Sequence, residues 1–132
     1  MKRRSFLVSL AAASLMPITA FAADYVTYTP GVIDAALDKG KTVFVDYSAT
    51  WCGTCKRQER VIEALRKDNP AYDAAMIFVK VDWDTYKNAD VTLFREIPRR
   101  STLIVLRGED ELGRVVAGTS EAQIKALLDT GL

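Results

Sequence analysis

The sequence contains no histidine and only two cysteines in 132 residues. Without histidine, Cys/His nucleophilic catalysis and His-ligated metal sites are excluded within this chain. The two cysteines, Cys52 and Cys55, stand so close together that a bridge between them closes a tiny loop. Such a bridge removes little entropy from the unfolded chain, so these residues are poor staples and their role is chemical. A closed zinc site needs four ligands, and no other Cys or His is present to supply them. A metal or iron–sulfur site shared between two subunits stays open on this count. Charge of one sign is also missing: 18 Lys+Arg face 17 Asp+Glu. Nothing in that balance suggests a nucleic-acid surface. There is no repeat, low-complexity tract or linker. What is present is ordinary for a soluble globular domain, 49% hydrophobic and 27% charged,. A chain of this length fits one domain and buries roughly two thirds of its unfolded surface, so it needs no metal or structural disulfide for a core.

Residues 1–22 read as an export leader. Lys2, Arg3 and Arg4 form a positive segment, a mostly apolar stretch runs from Phe6 to Leu15, and Ala20-Phe21-Ala22 supplies a small-residue cleavage pattern,. Arg3-Arg4-Ser5-Phe6-Leu7 also resembles a twin-arginine signal, though Lys2 and Val8 depart from it, and the ordinary secretory route stays open,. The apolar run is too short for a comfortable span and no later one replaces it, which implies no stable membrane insertion after cleavage. Removing the leader's three basic residues leaves 15 basic against 17 acidic residues, a formal net of −2. The expected organisation is a signal peptide over 1–22 and one domain over 23–132, located in the bacterial periplasm.

Along the mature chain, Tyr25–Tyr28 reads as a short edge strand. Thr29-Pro30 reads as a helix cap and first helical position before Val32, Ile33, Ala36 and Leu37, with Gly40 ending that helix,. Thr42–Tyr47 is a mostly apolar run of β-formers suited to a central strand buried on both faces. After the cysteines, Val61, Ile62 and Leu65 form an apolar stripe, leaving Lys56, Arg57, Glu59, Arg60 and Glu63 for solvent. Asn69-Pro70 breaks this helix. Ala75–Val81 reads as a buried strand, and Ala89–Arg95 as a helix with Val91 and Phe94 facing inward. Trp83 reads as structural or as loop cover. Thr102–Leu106 is a strand, 107–110 a hairpin turn, Leu112–Ala117 the returning strand, and Ser120–Gln123 a capping box before the last helix. The order β-α-β-α-β-α-β-β-α predicts an α/β fold, a mixed sheet with helices on both faces.

A Cys-x-x-Cys segment between a strand and a helix places Cys52 at the helix N-terminus. Unpaired N–H groups and the macrodipole there favour a thiolate. Exposure then makes Cys52 the nucleophile, and Cys55, one turn inward, the residue that resolves a mixed disulfide. Gly53 lets the turn tighten.

The segment from Phe44 to Lys56, with Trp51-Cys52-Gly53-Thr54-Cys55 at its centre, resembles the strand and active-site loop of the thioredoxin superfamily. Lys80-Val81-Asp82 is similar to the family's next central strand, and Gly118 with the final helix to its end. The stretch from Trp83 to Asp90 is similar to the C-terminal thioredoxin-like domain of the bacterial transmembrane disulfide reductase. The resemblance implies a thioredoxin fold with a central mixed sheet of four to five strands. It implies that Asp46 is the buried acid beneath the cysteines, raised in pKa by burial and exchanging a proton with Cys55. Lys80 takes the place of that acid's lysine partner, the alternative being a structural Asp–Lys pair. Trp51, Gly53, Thr54, Arg100 and Ser101 are the expected substrate-facing residues, with Arg99 beside them.

Two positions depart from the family. Thr54 stands where a proline is usual and restores a backbone N–H near Cys52, which favours the dithiol and raises the reduction potential. Ser101 falls at the family's cis-proline position directly before the fourth strand, with Pro98 as the alternative if the loop has gained residues. Cis bonds belong to proline, so the Arg100–Ser101 peptide is expected trans, with the Ser101 hydroxyl near the sulfurs. The expected activity is protein thiol–disulfide exchange in the reducing direction, without a cofactor. The chain acts as a monomer on disulfide-containing proteins and is resupplied by a membrane electron-transfer partner. An oxidase or isomerase, a subunit-shared metal or iron–sulfur module, and a peptide-binding chaperone are the competing readings.

Overall fold

The computed structural model describes residues 24–132; the leader expected over 1–22 lies outside them. Five strands form one sheet in the order β1-β3-β2-β4-β5. They are β1 (Val26–Thr27), β2 (Thr42–Ser48), β3 (Met76–Asp82), β4 (Thr102–Arg107) and β5 (Asp110–Val116). β2 runs parallel to β3 and antiparallel to β4, so the apolar run at 42–48 occupies the middle of the sheet and every residue in it is buried. The helices are α1 (Val32–Asp38), α2 (Gly53–Asp68), α3 (Ala71–Ala75), α4 (Trp83–Tyr86), α5 (Asp90–Leu93) and α6 (Glu121–Asp129).

The alternation of the strands divides the core into two layers. Phe44, Phe78, Leu103 and Val105 pack with Ile62 and Leu65 of α2 and with Ile124, Leu127 and Leu128 of α6. Val43, Val45, Tyr47, Val79, Val81 and Ile104 pack on the other face with Ile33 of α1 and with Ile97. Asp46 is two residues from Phe44 and therefore points into the α2 layer, an acid among hydrocarbons.

Several local expectations are corrected. α1 begins at Val32 behind Gly31, not at Pro30; Gly31 has φ +90°, which a Cβ-bearing residue adopts poorly,. Asn69-Pro70 ends α2 as expected, but a further short helix, α3, follows before β3. The helix expected over 89–95 shrinks to Asp90–Leu93, and Phe94 is 82% exposed, not inward. Its segment is held instead by Tyr47, whose hydroxyl donates to the Val91 carbonyl at 2.6 Å, and by the buried Thr92, whose hydroxyl donates to the Tyr86 carbonyl at 2.7 Å. Trp83 covers the cysteines, packing against Ala49, Cys52 and Cys55.

Candidate active site

The chain leaves the sheet at the C-terminal end of β2 and turns through Ala49–Trp51 into α2, and Cys52 caps that helix. Cys52 N–H donates to the Ala49 carbonyl at 3.1 Å, and Cys55 N–H donates to Cys52 Sγ at 3.1 Å. The sulfur thus occupies the position an N-cap oxygen would take, where orphan amides favour negative charge. Cys52 and Cys55 form a disulfide with their Cα atoms 5.3 Å apart. Both cysteines are buried alike, 3% and 2% exposed, so the expected greater exposure of Cys52 is not seen and its place at the N-cap of α2 is what distinguishes it; Gly53 is exposed and Thr54 half-buried.

Ser101 lies against this bridge. Its Oγ is 3.0 Å from Cys55 Sγ and 3.3 Å from Cys52 Sγ; with both sulfurs in the bridge, the hydroxyl is the group with a proton to donate. The peptide before Ser101 is trans, and no cis peptide occurs among the described residues. Ser101 has φ +64°, a left-handed backbone that costs a non-glycine residue energy,. Its backbone is fixed from three sides: its N–H donates to the Tyr47 carbonyl at 2.8 Å and its carbonyl accepts from Ala117 N–H at 2.9 Å. The third hold is Gln58, whose Nε2 donates to the Ser101 carbonyl at 2.9 Å and to the Gly118 carbonyl at 3.0 Å. Pro98 is exposed in the loop before this point. Gln58 was not singled out in the sequence, yet a signal existed. It is a polar residue in line with Cys55, Ile62 and Leu65 on the buried face of α2,.

The rim is aromatic and charged. Trp51 is 57% exposed; its Nε1 donates to Asp84 at 2.8 Å, and the Arg100 guanidinium rests 4.5 Å from its ring centroid,. Arg100 Nε is buried with no hydrogen-bond partner among the described residues. The Arg99 side chain turns back, its Nε donating to the Arg100 carbonyl at 3.0 Å.

On the α2 side of the sheet, Asp46 is 1% exposed, and neither carboxyl oxygen has a hydrogen-bond partner among the described residues. Burial pushes its pKa from 3.8 up to about 7; the Lys80 charge opposes that rise and the Glu59 charge adds to it,. Lys80 is directly opposite Asp46 in the β2–β3 register, but its ammonium bonds Glu59 Oε1 at 3.0 Å. Glu59 is thus half-buried and paired, not left to solvent as its place in α2 implied. Tyr25 completes the group, its buried hydroxyl also without a partner among the described residues. A groove of about 690 Å³ lined by Tyr25, Lys56, Glu59 and Lys80 among others opens on this side of the site.

This arrangement provides a sulfur pair at a helix N-terminus, a hydroxyl on both sulfurs and a buried acid of neutral-range pKa on the α2 side of the same strand. That is equipment for disulfide exchange. The sequence profile of the thioredoxin family matches residues 25–130. A thioredoxin of Echinococcus granulosus is 36% identical over 96 residues, covering 73% of this chain and 83% of the relative. Thioredoxin-2 of Saccharomyces cerevisiae is 42% identical over 93 residues, covering 70% and 83%. Among solved structures, Trxlp from Edwardsiella tarda EIB202 superposes with a TM-score of 0.65 at 34% identity, covering 80% of this chain and 95% of its own.

Proposed function

The chain belongs to the thioredoxin family and is a thiol–disulfide oxidoreductase acting through Cys52 and Cys55, and from that premise we propose that it is an exported, periplasmic reductant. Cys52 thiolate attacks a substrate disulfide and releases one substrate thiolate. Cys55, having passed its proton to Asp46, then attacks Cys52 Sγ, closing the bridge and releasing the second substrate sulfur. Substrates are disulfide-containing proteins, docked across Trp51, Gly53, Thr54, Arg100 and Ser101.

The observation that carries the reducing direction is the match to thioredoxins over 25–130, with Asp46 as the buried acid whose pKa of about 7 suits it to exchange a proton with Cys55. The leader expected over 1–22 supports export, with 23–132 as the mature domain. Because an exported compartment is oxidising, the reductant requires a membrane electron-transfer partner, and the likeness of Trp83–Asp90 to the transmembrane disulfide reductase's domain fits such a relay. The mature protein works as a monomer.

The Ser101 hydroxyl favours a second reading, an oxidase or isomerase. A donor on both sulfurs stabilises the dithiol's thiolate and raises the potential,. The test is trapping in the natural host: Cys55→Ala should accumulate mixed disulfides through Cys52 in the periplasmic fraction. Partners recovered alongside a membrane electron donor support the reductant. Trapped partners that are newly exported reduced chains, with a measured potential near that of strong periplasmic oxidants, would overturn it.

A further inference from the structure

The charges around Asp46 do not pair as the strand register alone would have them. Lys80 is Asp46's direct neighbour across β2 and β3, and two opposite charges so placed attract. Instead the Lys80 ammonium bonds Glu59 on α2 at 3.0 Å and lies 4.4 Å from the Tyr25 ring centroid. Both Asp46 oxygens are left without a hydrogen bond among the described residues. Glu59 follows Cys55 by one helical turn, so the two share a face of α2,.

From this geometry we infer that Glu59 is a positioning residue: it holds the Lys80 ammonium toward the groove and leaves the Asp46 carboxyl without a hydrogen-bonded counter-ion among the described residues, open to take the Cys55 proton. This rests on Asp46 serving Cys55 as proposed above. In the resolving step the Cys55 S–H proton passes to the Asp46 carboxylate. The Cys55 electron pair forms the new bond to Cys52 Sγ, and the substrate sulfur leaves with the electrons of the broken bond. If Lys80 turned back to Asp46, its charge would hold the carboxylate ionised and weaken it as a base.

The remaining groups around Asp46 do not replace Glu59. Tyr25, before β1, presents a hydroxyl whose pKa is raised well above its ordinary value, first by burial and then by the Asp46 charge. Arg66 of α2 is engaged by Asp73 and lies 3.8 Å from the Phe78 ring centroid. From β4 the register partner is Leu103, which carries no charge. The Glu59–Lys80 pair is partly exposed, so its effect on stability is small; its consequence is to be read on Asp46.

The decisive variant is Glu59→Gln, with Asp46 followed by carbon-13 carboxyl NMR in the oxidised protein, where the cysteines do not titrate. The Asp46 midpoint should fall by about one pH unit, a roughly tenfold loss of proton affinity. Glutathione release from a Cys52–glutathione mixed disulfide should shift its pH profile by the same amount. In a Lys80→Met background the substitution should move Asp46 far less. An unmoved midpoint overturns the inference, as does an equal shift with and without Lys80, because Glu59 would then act directly. A midpoint that shifts while the release profile stays in place overturns the role given to Asp46, and with it the link from Glu59 to Cys55.

Discussion

Replacing Asp46 with asparagine should stabilise the oxidised protein increasingly as the solution becomes more alkaline. The carboxyl is fully buried and its folded pKa is about 7, against 3.8 ordinarily. Each pH unit of difference is worth about 1.4 kcal/mol, so a gap of roughly three units corresponds to about 4 kcal/mol. The sign follows from which state holds the proton. Below the ordinary value the group is neutral in both the folded and the unfolded chain, and there is no penalty. As pH rises toward 7 only the unfolded chain ionises, and stability falls by about 1.4 kcal/mol per unit. Above 7 both states are ionised and the loss levels off near 4 kcal/mol. Asparagine fills the same space without ionising. Its unpaired amide adds an offset of roughly 1–3 kcal/mol that does not change with pH. Urea unfolding of the two proteins from pH 4.5 to 8.5 should therefore show their difference shifting by about 3 kcal/mol in favour of the variant, then flattening. A difference independent of pH would refute the claim that Asp46 is buried as the neutral acid.

Two further substitutions separate the devices built around the sulfurs. Ser101→Ala removes the hydroxyl found 3.0 and 3.3 Å from the two sulfurs. In the reduced protein it should raise the Cys52 pKa by about one unit and lower the reduction potential, since a hydrogen bond to a charged group contributes roughly 1.5–3 kcal/mol. Thiolate ultraviolet absorbance against pH checks this, and an unchanged midpoint counts against the hydroxyl as a thiolate donor. Gln58→Leu keeps the volume but strips both donated bonds from the Ser101 and Gly118 carbonyls. It should cost about 1–2 kcal/mol in urea unfolding and hasten amide exchange at Ala117; unaltered stability and exchange would contradict the hold assigned to Gln58.

The sheet was legible because its signals are local and redundant. A seven-residue strand buried on both faces leaves little but β-branched and aromatic side chains, and Asn69-Pro70 and Gly108 punctuate without ambiguity. Cys52 and Cys55 were legible for a similar reason, since spacing and a strand–helix junction together define a helix cap. Phe94 misled because helical spacing describes a face and not what covers it. Only four residues of that segment are helical, and the segment is fixed from elsewhere, by Tyr47. Glu59 misled in the opposite sense: its neighbours on α2 predict solvent, while its partner arrives on β3, a contact 21 residues away that no pattern in the sequence encodes.

Ser101 marks the point at which reading by correspondence stops being sufficient. Treating it only as a replaced proline leaves a missing ring and nothing more. The structure places there a residue with φ +64°, whereas proline's ring fixes φ near −65°. A proline cannot adopt this backbone, so placing one at 101 would force the loop out of the conformation seen here,. A left-handed serine persists only where its surroundings determine it. Here Tyr47, Ala117 and Gln58 do so from β2, the end of β5 and α2. Those same bonds set the hydroxyl on the sulfurs, so the energy that fixes the backbone also fixes a donor at the reacting bond. On α2 and β3, Lys80 bonds Glu59 while the buried Asp46 carboxyl has no hydrogen-bond partner among the described residues. Any potential or partner preference that sets this chain apart within its family should originate in these two arrangements and in Thr54, which keeps between the cysteines a backbone N–H that proline would lack,.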